Sequence, residues 1–302
     1  MIMAKSKWNI NNIPDQRGRL VVITGATSGL GKEAARVLAG KNATVIMAVR
    51  NVKKGEDVAF DIREEFSGSI VMVRKLDLTS LSGIKNFADD IIEDFDRLDI
   101  LINNAGIMMC PYSKTQDGFD IQMGTNHFGH FALTGHLMPL LKKTKGSCVV
   151  ATSSVGHRIG NIDFSDLNWE KRKYKTAQAY GDSKLANLYF TYELARRYKD
   201  EPDAPKVTAA HPGWTRTDLQ RHSGPLRFMN IFFSQNPEKG VLPTLRAAID
   251  PDAKSGDYYG PSGIFEMQGY PAKVKSNKRS YDLLSARKLW ELSEKMTGVE
   301  YF

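Results

Sequence analysis

The sequence predicts a doubly wound α/β fold on a parallel sheet of about seven strands, and three observations lead there. Short apolar runs alternate with longer amphipathic stretches, the pattern of repeated βαβ units whose strands are buried on both faces. The first apolar run opens into a glycine-rich turn and then a helical pattern, Thr24-Gly25-Ala26-Thr27-Ser28-Gly29-Leu30-Gly31-Lys32. No repeat period and no Pro-, Gly- or Ser-rich linker divides the 302 residues, so a single domain spanning 1–302 is expected.

The buried strands are read at Leu20–Thr24, Thr44–Val49, Ile70–Val73, Ile100–Ile102, Cys148–Ala151 and Val207–Ala210. Helical spacing of apolar residues falls between them, at Gly31–Gly40, Val52–Phe66, Leu81–Phe95, Phe119–Lys143 and Ala179–Tyr198. Beyond the sixth strand the pattern loosens. Residues 214–236 read as a loop or short-helix insertion, Pro237–Ile249 as a helix and Arg279–Met296 as the last helix.

Composition narrows the class of protein. With 41% hydrophobic and 25% charged residues, 25 Gly and 12 Pro, the chain is neither disordered nor collagen-like. Its 42 Lys+Arg against 34 Asp+Glu leave +8, compatible with nucleic acid, an acidic membrane or a phosphorylated ligand. The dense basic runs, Lys171–Lys175 and Lys273–Arg279, read as solvated faces. Two cysteines, Cys110 and Cys148, make no disulfide framework and have no metal spacing, so buried thiols in a reducing compartment are expected. The amino terminus lacks a signal-peptide core and no run of ~18 apolar residues occurs, which leads to an expected cytoplasmic location without stable membrane insertion.

The glycine turn follows a buried strand and opens a helix, which brings backbone N–H groups and a helix dipole to a pyrophosphate. A P-loop fits poorly: five residues rather than four separate Gly25 from Gly31, and Glu33 follows Lys32 where Ser or Thr is needed.

The spacing Gly-x-x-x-Gly-x-Gly resembles the short-chain dehydrogenase/reductase family, and further motifs stand in the family's order. They are Asn103-Asn104-Ala105-Gly106, Asn126, Ser153-Ser154, Tyr180-Gly181-Asp182-Ser183-Lys184 and His211-Pro212-Gly213-Trp214-Thr215-Arg216-Thr217. The resemblance covers roughly residues 20 to 217. It implies a Rossmann-type fold, and a nicotinamide cofactor held at Thr24, Gly25, Ser28, Gly29, Leu30 and Gly31. Asp77 and Leu78 would border the adenine, and Asn104, Ala105 and Gly106 the ribose.

The second strand ends Val49-Arg50-Asn51, with Val49 where NAD-dependent members usually carry Asp. No acid repels a 2′-phosphate there and a guanidinium can hold one, so NADP(H) is the expected cofactor, with Arg50 and Asn51 in its site. Tyr180 and Lys184 stand four apart in a helical segment, on one face. A phenol of pKa ~10 needs such an ammonium to serve as acid or base near neutrality. By resemblance Tyr180 exchanges the proton and Lys184 also binds the ribose. Ser154 holds the reacting oxygen, Asn126 organises a proton-relay water, and Pro212, Gly213, Thr215 and Thr217 hold the carboxamide.

Two features depart from compact family members. Ser154 and Tyr180 are 26 residues apart, with the insertion at 156–176, and Asn126-His127-Phe128-Gly129-His130-Phe131 accompanies it. Together they resemble the branch of retinol dehydrogenases and protochlorophyllide reductases, while the opening Trp8–Gly18 and the tail Gly269–Lys275 most resemble soluble bacterial relatives of unassigned substrate. His127, His130 and His136 share a helix but lack a carboxylate or Cys pattern, so no metal is expected. His211 reads as a strand-end packing residue.

The apolar segment Leu226–Phe233 lies in the region 214–236 where the family places its substrate lid; oligomer contact and membrane-surface docking stay open beside that reading. Met108, Met109, Tyr174 and Trp214 are candidate pocket walls. The expected activity is hydride transfer between NADP(H) and a moderately large apolar carbonyl or alcohol, with no nucleic-acid partner and with a homo-oligomer open. The alternative is a catalytically silent NADP-binding regulator.

Overall fold

The computed structural model describes residues 7–215 and 235–301. Among the described residues, eight strands form one sheet: β1 (Leu20–Thr24), β2 (Thr44–Val49), β3 (Val71–Lys75), β4 (Ile100–Asn103), β5 (Cys148–Thr152), β6 (Lys206–Ala210), β7 (Tyr258–Pro261) and β8 (Pro271–Lys273). Their order is β3-β2-β1-β4-β5-β6-β7-β8, parallel throughout except for the antiparallel β7–β8 pair. Winding therefore reverses between β1 and β4, the point at which open parallel sheets bind ligands beyond their strand ends.

Strand β1 shows why the strands read as unbroken apolar runs. Val21 and Ile23 pack into one core with Leu38 and Leu245, while Leu20 and Val22 face the other with Ile84 and Phe131. Each such side chain contributes about 1.5–3 kcal/mol by leaving water, so neither face tolerates a polar alternation.

The helices flanking the sheet begin with α1 (Gly29–Ala39), α2 (Val52–Glu65) and α3 (Leu81–Asp94), the last two capped by the side chains of Asn51 and Ser80. A short α4 (Ile121–Met123), capped by Asp120, runs through a π-helical turn at Gly124–Phe128 into α5 (Gly129–Lys143). The long α6 (Thr176–Arg197) carries the Tyr-Lys pair, and α7 (Pro237–Gly240), α8 (Leu242–Ile249) and α9 (Leu283–Thr297) follow.

Several boundaries differ from the sequence reading. The third strand is displaced toward Lys75, because exposed Ile70 lies before the ladder. The expected helix over Phe119–Lys143 is interrupted by the π turn, and Pro237–Ile249 breaks at Val241 into two helices. Two short strands, β7 and β8, extend the sheet to eight. Both are too short, and too rich in Pro, Gly and Tyr, to stand out as apolar runs.

Helix α9 lies across α5 and α6. Trp290 stacks on Phe190 at 6.0 Å between ring centres and meets Phe131 and Tyr301 edge-on. The Tyr301 hydroxyl donates to the Phe131 carbonyl at 2.6 Å. Beneath it, the His127 Nε2–H donates to Ser293 Oγ at 2.9 Å, since the Ser293 hydrogen is committed to the Leu289 carbonyl.

Candidate active site

The glycine turn is organised by Thr24 at the end of β1. Its Oγ1 accepts the N–H groups of Asn104 and Ala105, both at 2.9 Å. With both acceptor sites used, the hydroxyl proton goes to His130 Nε2, 2.9 Å away, and the other ring nitrogen, Nδ1–H, donates to the Asn126 carbonyl at 3.1 Å. Burial lowers the His130 pKa to about 4, which keeps this tautomer neutral. Gly25 adopts φ 70° and passes so close to Ala105 that a Cβ would meet its Cα at 2.9 Å. Helix α1 starts at Ser28 without a side-chain cap, which leaves its first N–H groups to an anion.

At the far end of this turn, Arg50, Asn51 and Lys54 stand together at the C-terminal end of β2 and the start of α2. Asn51 Oδ1 caps Lys54 N–H at 3.0 Å. Lys54 was missed by the sequence reading, although its place in the first turn after Arg50 was a usable signal. Asp77 holds its own loop by accepting from Thr79 N–H and Oγ1, at 3.0 and 2.8 Å.

The other end of the cleft gathers Ser154, Tyr180 and Lys184. Lys184 is buried, donates to the Thr152 carbonyl at 3.1 Å, and lies 5.8 Å from the centre of the Tyr180 ring. Burial brings its pKa down to about 8. Burial also raises the Tyr180 phenol, an effect opposed by the Ser154 hydroxyl beside it. Neighbouring Ser153 is turned away, with its Oγ donating to the Lys184 carbonyl at 2.9 Å, so of the two serines it is Ser154 that faces Tyr180. The Ser154 backbone is held in turn by His157, whose Nδ1–H donates to its carbonyl at 2.6 Å while Nε2 accepts from Asn277 N–H.

Asn126 stands behind these groups in the π turn. Its Oδ1 accepts from Ile107 N–H at 2.8 Å, and its Nδ2 donates to the Ile107 carbonyl and to Ser183 Oγ, both at 2.9 Å. A Cβ at residue 106 would reach 3.1 Å from Asn126 Oδ1 and 3.4 Å from Lys184 Nζ, so Gly106 keeps that approach open. Loop 212–215 closes the cleft through Thr215 Oγ1, which donates to the Pro212 carbonyl at 2.8 Å. His211 is wholly buried with Glu266 Oε2 3.1 Å from its Nε2.

One cleft of about 870 Å³ connects both ends. Of the sequence-derived site residues, Thr24, Gly25, Ser28, Gly29, Leu30, Arg50, Asn51, Asp77, Leu78, Asn104, Ala105 and Gly106 line it, as do Ser154, Tyr180, Lys184, Pro212, Gly213 and Thr215. Gly31 and Asn126 are one layer behind, and Thr217 and Leu226–Phe233 lie outside the described residues. Met108, Met109 and Trp214 form walls as expected. Tyr174 does not: it backs Tyr112, which does line the cleft, with ring centres 5.0 Å apart. Among the described residues no helix is long and apolar enough to cross a membrane.

The chain is similar to known proteins in sequence and in fold. The family model described as short chain dehydrogenase matches residues 19–226. Human retinol dehydrogenase 13 is 40% identical over 94% of this chain and 86% of its own length, and human retinol dehydrogenase 12 is 42% identical over 94% and 88%. Among solved structures, an uncharacterised protein from Mycobacterium paratuberculosis superposes with a TM-score of 0.83 at 41% identity, covering 98% of this chain and 100% of that one. A short chain dehydrogenase from Escherichia coli CFT073 complexed with NADPH gives 0.64 at 29% identity over 81% and 97%. With its glycine turn, its Ser-Tyr-Lys cluster and these relatives, the chain is a member of the short-chain dehydrogenase family of Rossmann-type oxidoreductases.

Proposed function

We propose that the protein transfers a hydride between NADP(H) and the carbonyl or alcohol carbon of a moderately large apolar substrate. The observation that carries this reading is the single cleft with Arg50 and Lys54 at one end and Ser154, Tyr180 and Lys184 at the other. The residues suit the cofactor: Gly25 and Gly106 leave room where a side chain would intrude, the N-terminus of α1 has no side-chain cap, and Arg50 and Lys54 line the cleft beside β2, where their charges would favour a 2′-phosphate. The NADPH held by the Escherichia coli relative, and the retinol for which the human relatives are named, support the cofactor and an apolar alcohol or aldehyde.

When bound, the nicotinamide supplies or takes the hydride. The chain's own groups handle the proton and the charge. Tyr180 gives its phenolic proton to the carbonyl oxygen in reduction and takes it back in oxidation. Ser154 donates a hydrogen bond to that oxygen as negative charge develops. Lys184, in its ammonium form, favours the phenolate. Met108, Met109 and Trp214 supply apolar walls that limit water.

The decisive comparison is NADPH oxidation with a panel of apolar aldehydes and ketones by wild type and Tyr180→Phe. Turnover should fall by about 10²–10⁴ in the variant with NADPH affinity retained. Equal rates would remove Tyr180 from the chemistry. A wild-type protein that binds NADPH yet reduces no carbonyl would support the silent regulator instead.

A further inference from the structure

Two carboxamide side chains tie the same loop to the same helix. Asn126 joins Ile107 to Ser183, as described above. Four residues earlier, wholly buried Gln122 does the equivalent one step further out: its Oε1 accepts from Met109 N–H at 2.8 Å and its Nε2 donates to the Thr176 carbonyl at 3.0 Å. Both partners are backbone groups of fixed polarity, so the orientation of the amide is determined. The same Nε2 lies 2.8 Å from the Tyr174 hydroxyl, which brings the insertion 156–176 into the joint. Met109 sits at φ 49°, a backbone conformation that a non-glycine residue holds only when its surroundings impose it.

We propose that Gln122 is a specificity-determining positioning residue: it sets the distance between the Met108–Cys110 wall and the helix that carries Tyr180. Thr176 opens that helix one turn before Tyr180, and Met108, Met109 and Cys110 line the cleft. A side chain bonded to both therefore fixes the width of the space beside the tyrosine. Loss of the bonds frees Met109 from its strained conformation and lets the wall move, while Asn126 continues to hold Ile107. Large apolar substrates, which need the wall, lose more than small ones, which need only the Ser154–Tyr180 pair. This rests on the reductase reading above, so one arm of the test is independent of turnover.

That arm uses the two cysteines as a built-in reporter. Cys148 is fully buried in β5, whereas Cys110 is partly exposed in the wall, so a soluble disulfide reagent added to the folded protein reports on Cys110. In Gln122→Met, of nearly equal length but without either bond, and in Gln122→Asn, too short to span both partners, Cys110 should react several-fold faster than in wild type. NADPH affinity and thermal midpoint identify which variants remain folded. In the activity arm, KM for a bulky apolar aldehyde should rise about tenfold, with kcat for a small aldehyde within twofold of wild type. An unchanged Cys110 rate in a folded variant, or equal effects on large and small substrates, would overturn the assignment. Faster Cys110 reaction in a protein whose wild type reduces no carbonyl would preserve the role of Gln122 in the wall and refute the reductase reading alone.

Discussion

A methyl group on Gly31 would lie 2.5 Å from Nδ2 of Asn104 and 2.5 Å from the Gly25 carbonyl. The third glycine of the turn thus serves the packing of helix α1 against Asn104, whose Nδ2 donates to the Thr24 carbonyl at 2.9 Å, and does not itself face the cleft. The Gly31→Ala variant should lose about 1–3 kcal/mol of stability by overpacking and should weaken NADPH binding as Asn104 is displaced. Thermal unfolding and fluorescence titration check the two effects. A stable variant of unchanged affinity would show that the turn relaxes freely.

Arg50 and Lys54 should discriminate between the two nicotinamide dinucleotides. Removing one charged contact to a phosphate costs about 1.5–3 kcal/mol, so Arg50→Ala should weaken NADPH at least tenfold and leave NADH within about twofold. Lys54→Ala should act in the same direction, more weakly, because an ammonium offers no bidentate fork. Parallel titrations with both cofactors measure the difference; equal losses for both would move the phosphate elsewhere.

Acid should unfold the protein through its buried histidines. Burial lowers His127 to about 3, and His130 and His157 to about 4, against an ordinary value of 6.5. The unfolded chain therefore takes up protons first as pH falls. Stability from these groups is complete above pH 6.5 and is lost progressively toward pH 4, by on the order of 3 kcal/mol each for His130 and His157. Urea midpoints at pH 7, 5.5 and 4.5 should fall steeply in that order. A flat profile would mean that these rings are charged or hydrated in the native state.

Trp290 joins α9 to α5 and α6, stacked on Phe190 and edge-on to Phe131 and Tyr301. Trp290→Ala should cost about 3–5 kcal/mol, visible as a lower thermal midpoint. Because Phe131, Phe190 and Tyr301, the rings Trp290 meets, do not line the cleft, the folded variant should keep wild-type NADPH affinity below its transition.

The sequence by itself determined the first six strands, the glycine turn and the identity of the Ser154, Tyr180 and Lys184 cluster. These are local signals: strands buried on both faces need unbroken apolar runs, and the motifs keep fixed order and spacing along the chain. Tertiary structure decided the rest. The π turn at Gly124–Phe128 has no distinct apolar period, and it places Asn126 between Ile107 and Ser183, contacts 19 and 57 residues distant. Short β7 and β8 are recognisable only by their pairing at the sheet edge. The closeness of Gly31 to Asn104 is visible only in the folded chain, and Tyr174 read as a wall until Tyr112 stood in front of it. Such roles depend on which polar group must find a partner once water is excluded, and that is decided by residues far away in the chain.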